Sequence, residues 1–250
     1  MSSALAEREE ALDAAAGGAS KRSYVRRIFS EIAPSYDLLN HLLSANLDRG
    51  WRRAAIDALR WEQRPAGTFL DVCAGTMDVG AELAARPGFR GAVVCADFAE
   101  PMLRSGLAKT HGAKVSPVVA DALRLPVRTG AGAGALVAFG VRNFEDLDAG
   151  LRELARVLAP GARLVILECA EPPSAAVRAL YHLYFRRVLP LIGRLVSGHR
   201  TAYRYLPVSV ASFPQPEELA ARLRAAGLTD VGFRRLALGT AAIHWGMRAA

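Results

Sequence analysis

Residues Thr68 to Asp78 constrain this chain more than any other stretch. Phe69 to Cys73 is an apolar run suited to a buried strand, Ala74-Gly75-Thr76 is a turn of small residues, and Val79 to Arg86 has helical character. A strand feeding a helix through a tight turn is the unit of an open α/β sheet. At that junction the first backbone N–H groups of the helix have no partner, so such sheets receive small ligands there.

The residues narrow the choice of ligand. A nucleotide-phosphate loop requires Gly-Lys-Ser/Thr after the turn, and none follows. A dinucleotide fingerprint requires three glycines, whereas only Gly75 stands in the turn and Gly80 lies five residues on. Asp71 and Asp78 flank the turn, and two carboxylates repel a pyrophosphate but favour a cationic ligand. S-adenosylmethionine, with its ammonium and sulfonium, fits that charge.

The next strands extend the pattern. Gly91 to Ala96 is β-favouring and stops at Asp97, where an acid at a strand tip can accept both hydroxyls of a ribose. A third strand, Lys114 to Ala120, stops at Asp121-Ala122, and a fourth, Gly134 to Phe139, at Gly140. Asp71, Asp97 and Asp121 are therefore expected along one rim of the sheet. Arg142 and Asn143, directly beyond the fourth strand, are placed to face a substrate; the alternative is an ion pair of Arg142 with Glu145 or Asp146. Leu147 to Leu158 reads as an amphipathic helix stopped by Pro160-Gly161, and Arg163 to Cys169 as the fifth strand. Pro216 to Ala226 is a further helix, and Thr229 to Leu238 with Ala241 to Arg248 a closing β-hairpin.

Two regions stand outside this alternation. Helical periodicity between Tyr24 and Leu59, broken at Pro34, predicts a cap over the ligand cleft (21–62), with Tyr36, Asp37 and Asn40 on it; otherwise Tyr36 is core and Asp37 a helix start. Residues 174–214 form an aromatic-rich insertion after the fifth strand, either lid and substrate pocket or a homodimer surface. Residues 1–20 read as a frayed tail and 21–250 as a single domain, which 250 residues with 52% hydrophobic content can support.

The formal charge is +8, nearly all of it arginine, since Lys21, Lys109 and Lys114 are the lysines. The basic positions are scattered and no base-pocket motif follows the fourth strand, so nucleic acid is not the expected partner; peripheral contact with the inner face of an anionic membrane is compatible with the charge. Cys73, Cys95 and Cys169 fall in expected strands without metal-ligand spacing, which suits small core residues of a reduced, cytoplasmic protein; no metal site is expected. No signal peptide is expected, and Val188 to Val196 is too short to span a bilayer and contains Arg194.

The residues Phe29 to Asn40, Asp71 to Asp78, Ala120 to Pro126, Phe139 to Asn143, Arg152 to Leu158, Val188 to Gly193, and Tyr203 to Leu206 with Ser212-Phe213-Pro214 together resemble a class I S-adenosylmethionine-dependent methyltransferase. More narrowly, they resemble the C-methyltransferases of ubiquinone and menaquinone biosynthesis. The resemblance implies a Rossmann-like, seven-stranded α/β sheet with its last strand antiparallel. It implies S-adenosylmethionine as methyl donor and a polyprenylated hydroquinone as lipid-soluble acceptor, demethylmenaquinol becoming menaquinol. Rival expectations are another small aromatic acceptor, or a non-catalytic binding protein on the same fold.

Thr76, Asp97, Asp121 and Ala122 match the family's donor-binding residues by position. Asp71, Gly75, Phe98 and Phe139 complete the expected donor contacts. The family turn commonly reads Gly-Gly-Thr-Gly, so here Ala74 and Met77 replace two glycines, and Met77 is expected to add bulk beside the ligand. Arg142 is the expected stabiliser of a developing phenolate and Asn143 the residue that orients the ring or a water. Tyr36, Tyr203 and His199 are the expected acceptor contacts, with His199 or His244 as the candidate proton acceptor.

Overall fold

The computed structural model describes residues 19–44, 46–184, 187 and 200–249. Seven strands form one sheet: β1 (Thr68–Val72), β2 (Ala92–Asp97), β3 (Val115–Val119), β4 (Gly132–Ala138), β5 (Leu158–Cys169), β6 (Leu228–Leu236) and β7 (Ala241–Arg248), in the spatial order β3-β2-β1-β4-β5-β7-β6. β1 to β5 run parallel, and β7 lies antiparallel between β5 and β6. The last strand is antiparallel, as expected.

Alternation along the central strands sends side chains to two cores. Leu70, Val72, Ala135, Val137, Leu164 and Ile166 meet Leu151, Leu154, Leu219 and Leu223, which project from α6 (Leu147–Val157) and α9 (Pro216–Ala225). On the other face Phe69, Val93, Leu136, Val165 and Leu167 meet Ala55, Ile56, Val79 and Leu83, from α3 (Leu47–Ala58) and α4 (Asp78–Ala84). With both faces covered, the parallel strands carry nearly continuous apolar runs. Pro117, which cannot donate to a ladder, falls on edge strand β3.

The chain leaves β1 toward β2 and β3, then returns to place β4 on the other side. That reversal opens a crevice beyond the C-terminal ends of β1 and β4, where this class of sheet binds ligands.

Before the sheet, α1 (Ala19–Ile32) and α2 (Tyr36–Leu43) are joined by a tight turn at Ala33–Ser35, so Pro34 does divide the segment. Beyond β5 come α7 (Ala175–Leu183) and α8 (Arg200–Ala211). Tyr205 of α8 packs with Tyr24, Val25, Ile28 and Ile32 of α1, which joins the two regions lying outside the sheet. Glu100–Gly106 forms α5, after β2. Gly106 lets α5 approach the turn after β1, since a Cβ there would stand 2.2 Å from the Thr76 carbonyl oxygen.

One boundary differs from the sequence reading. The expected helix stop at Pro160-Gly161 lies inside β5, which begins at Leu158, directly after α6. Gly161 takes φ +71°, and the register against β4 slips between Gly132 and Gly134, so this pair makes an irregularity in a strand.

Candidate active site

The turn after β1 is built by left-handed backbone. Cys73, Gly75 and Met77 have φ of +57°, +54° and +62°, and Phe139, just past β4, has +59°. For non-glycine residues this conformation costs roughly 1–2 kcal/mol each, so tertiary contacts must hold them. Met77 shows how. Its side chain is fully buried and packs in the core with Ala55, Ile56, Val79 and Leu83. Truncating a buried Met costs about 2–5 kcal/mol, more than a glycine's freedom would return. Contrary to expectation, Met77 therefore adds no bulk to the ligand side; it anchors the turn from below.

A cleft of about 690 Å³, partly open to solvent, lies over this turn. Gly75, Asp97, Phe98, Asp121, Ala122 and Phe139 line it, so six of the eight expected donor contacts come together, joined by Tyr36 and by Asn143, which was expected on the acceptor. Asp97 accepts hydrogen bonds from the amides of Gly75 (2.9 Å) and Ala99 (2.8 Å), and burial raises its pKa against the effect of these bonds. Asp121 accepts from the Leu123 amide and pairs with Arg22 of α1 at 2.9 Å. The Asn143 Oδ1 is buried and has no hydrogen-bond partner among the described residues. An orphaned acceptor, two carboxylates and the aromatic rings of Phe98 and Phe139 suit a cationic ligand carrying a ribose and a flat base.

Asp71 and Thr76 are placed differently from expectation. Asp71 lies within β1, not at its tip, and accepts from the Gly80 amide (2.9 Å) at the start of α4. It is 2% exposed, and burial raises its pKa to about 7 despite that bond. Its task is to hold α4 on the sheet. Thr76 turns toward the cap, donating to Asp37 and accepting from Lys109 Nζ (3.0 Å). Lys109 also pairs with Asp37 and Asp78, and Asp78 with Arg52. Asp37 is thus a latch between cap and turn: burial would raise its pKa, but bonds from Lys109 and Thr76 bring it below the usual range. The charge of Asp78, expected to act on the ligand, is spent on Arg52 and Lys109.

A second, larger cavity of about 1330 Å³ adjoins the first and is mainly apolar. Phe29, Tyr36 and Phe139 line both, forming the partition between them. Ile28, Ile32, Leu39, Leu47, Trp51, Tyr181, Tyr184, Tyr205 and Leu206 supply its walls, with polar points at Asn40, Ser44, Asp48 and Arg142. Cap and insertion therefore both contribute. Cys73 and Cys169 are half-buried and line the first and second cavities respectively, so they are not the closed core residues expected; Cys95 is.

Arg142 is the fixed charge of this cavity. Its Nη1 donates to Glu168 Oε1 (2.6 Å) and to the Phe139 carbonyl (2.6 Å), while Nε is buried without a partner. Burial alone would lower its pKa, but the facing Glu168 carboxylate outweighs this and raises it. The partner is Glu168, at 1% exposure, and not Glu145 or Asp146. His244 is no proton acceptor for either cavity: it is buried in β7, bonds to the Pro216 carbonyl, and burial lowers its pKa to about 4. His199 and the side chain of Tyr203 lie outside the described residues. Sequence reading missed Glu168 and Tyr205; the rule that found Asp97, an acid at a strand end, applies equally to Glu168 on β5.

A model of the ubiE/COQ5 methyltransferase family matches residues 18–248. The chain belongs to this family. It is 50% identical over 224 residues to the demethylmenaquinone methyltransferase of Thermus thermophilus, covering 88% of this chain and 100% of that one. It is 41% identical over 230 residues to the ubiquinone/menaquinone biosynthesis C-methyltransferase UbiE of Geobacter sulfurreducens, covering 90% and 89%. Among solved structures, Haemonchus contortus phosphoethanolamine N-methyltransferase 2, in complex with phosphomonomethylethanolamine and S-adenosylhomocysteine, has a TM-score of 0.63 at 12% identity, covering 93% of this chain and 61% of that one. At that identity the likeness concerns the fold alone. The family's chemistry suits the paired cavities: one carrying Asp97 and Asp121, one apolar and tyrosine-lined.

Proposed function

We propose that this family member is an S-adenosylmethionine-dependent C-methyltransferase of quinone biosynthesis that methylates a polyprenylated hydroquinone, demethylmenaquinol giving menaquinol. The supporting observation is the shared wall: Phe29, Tyr36 and Phe139 border both the anionic cleft and the apolar cavity, so the two cavities adjoin one another.

When bound, S-adenosylmethionine supplies an electrophilic methyl group on a positively charged sulfur. Asp97 would accept from its ribose, and Gly75, Phe98, Asp121, Ala122 and Phe139, which line the same cleft, would hold the rest of the donor. Asp71 and Thr76 support this cleft without entering it. On the acceptor side, a ring carbon becomes nucleophilic when the neighbouring hydroxyl ionises. Arg142 favours that ionisation as a desolvated, permanently charged donor and cannot serve as base. The ring carbon takes the methyl group as the methyl–sulfur bond breaks, leaving S-adenosylhomocysteine; the ring carbon then loses its proton and the oxygen regains one, so one proton leaves per turnover. Placing the two reactants side by side supplies much of the rate.

A quinol with an isoprenoid tail requires an apolar route in. Leu47 lines the cavity and is half exposed, and Leu38 and Leu42 of α2, the helix that gives Tyr36, Leu39 and Asn40 to the cavity, are exposed. Among the described residues no helix is long and apolar enough to cross a membrane. The leucines and the arginine-rich surface suit peripheral contact with an anionic bilayer at the cavity mouth. The insertion acts as pocket wall in this reading.

Quinones extracted from cells with and without the gene test the proposal. Loss of the gene is expected to replace the methylated quinone by its demethyl precursor, and restoring it to reverse the change. An unaltered quinone profile would refute it.

A further inference from the structure

We infer that the Tyr205 hydroxyl and Arg142 Nε together hold the ionising oxygen of the aromatic acceptor, so that Tyr205 is a catalytic residue of the proposed methyl transfer. The inference rests on reading the larger cavity as the acceptor site.

Two buried donors are left without partners on this one cavity. The Tyr205 hydroxyl and Arg142 Nε are both shielded from solvent, and neither makes a hydrogen bond among the described residues. Leaving a buried donor unmade is costly, so two such donors on residues that line one cavity mark where an acceptor atom belongs. Arg142 Nη1 already donates to Glu168 and the Phe139 carbonyl, which fixes the guanidinium plane and leaves Nε as the unpartnered donor. Tyr205 is held by the α1 core and by an edge-on contact with the Tyr24 ring, centroids 5.5 Å apart, so its hydroxyl is positioned by packing. Burial pushes the Tyr205 pKa up to about 12, so the group is a donor at neutral pH and not a base.

The charges facing this corner suit an anion. Arg142 is paired once, with Glu168, while the carboxylate on this cavity, Asp48, is itself paired with His41 and Arg52. A phenolate oxygen would satisfy both orphaned donors with charge-assisted bonds, whereas an ether oxygen would accept only neutral-strength bonds and an alkyl position none. This gives the cavity a preference for acceptors with a free hydroxyl beside the carbon to be methylated.

The test uses the full chain saturated with S-adenosylhomocysteine, and 4-nitrophenol, a phenol whose yellow anion reports its own ionisation. In the wild type the bound phenol is expected to ionise at lower pH than in buffer. In Tyr205→Phe its midpoint is expected to move back by about one pH unit, the value of one hydrogen bond to a charged group. Turnover with a demethylated quinol should fall about ten-fold or more at little change in KM. The melting temperature should not fall, because the removed hydroxyl has no protein partner. A bound phenol with the same midpoint in both proteins would overturn the assignment of Tyr205 and leave the acceptor site standing. Failure of any phenol to bind the wild type would overturn the acceptor site, and this inference with it.

Discussion

The two cavities are made from different materials. The donor cleft is framed largely by backbone: Gly75 and Ala99 amides hold Asp97, the Leu123 amide holds Asp121, and left-handed residues shape its floor. The acceptor cavity is framed by side chains from α1, α2, α3, α7 and α8, brought together from both ends of the chain. Geometry set by sheet ends is stiff and tolerates little change, as a shared donor requires. Geometry set by packed helices can be reshaped by substitution, as a particular acceptor requires.

If the halves are separable, substitutions should divide cleanly between them. Arg142→Ala should show the largest effect, a loss of about 10²–10³ in kcat with the S-adenosylmethionine Kd unchanged by calorimetry. Combining it with Glu168→Gln avoids leaving a buried carboxylate uncompensated. Asp97→Ala should do the reverse, weakening donor binding about 100-fold through two lost bonds to a charged group while leaving 4-nitrophenol binding in place.

Asp37→Ala probes the seam. It removes the latch to Thr76 and Lys109 and should weaken donor binding about ten-fold, with a larger effect on the donor's off-rate than on its on-rate, measured by stopped flow.

The smallest effect concerns stability alone. Asp71 has a folded pKa near 7, above its unfolded value, so its contribution is complete below about pH 4 and is lost as pH rises through about 7. Asp71→Asn keeps an acceptor for the Gly80 amide without the charge. Its melting temperature relative to wild type should rise by a few degrees between pH 5 and pH 8, roughly the consequence of relieving a buried charge. A constant difference across that range would show that Asp71 does not titrate as described.

The same division explains what the sequence disclosed. Strand, turn and helix at Thr68 to Asp78 are local, so the fold and the placing of Gly75, Asp97 and Asp121 on one cleft could be read from short windows. Asp71 was misplaced because proximity to a turn does not say which face of a strand a side chain takes. Thr76 and Met77 failed similarly: one is claimed by Asp37 of the cap and the other by the core under the turn. On the acceptor side, Glu168 meets Arg142 across 26 residues, and Tyr205 meets Tyr24 with strands β1 to β5 between them in the chain, pairings that no periodicity announces. The bulge at Pro160-Gly161 looked like a helix stop because both use a glycine at positive φ.

The central claim is that the two cavities act together on a donor and a lipid hydroquinone. The most direct measurement is mass spectrometry of the quinol after incubating purified protein with methyl-labelled S-adenosylmethionine and reduced demethylmenaquinone in detergent. The account predicts a product carrying the labelled methyl on a ring carbon, formed in proportion to S-adenosylhomocysteine. Donor binding in calorimetry with no label on the ring would contradict it.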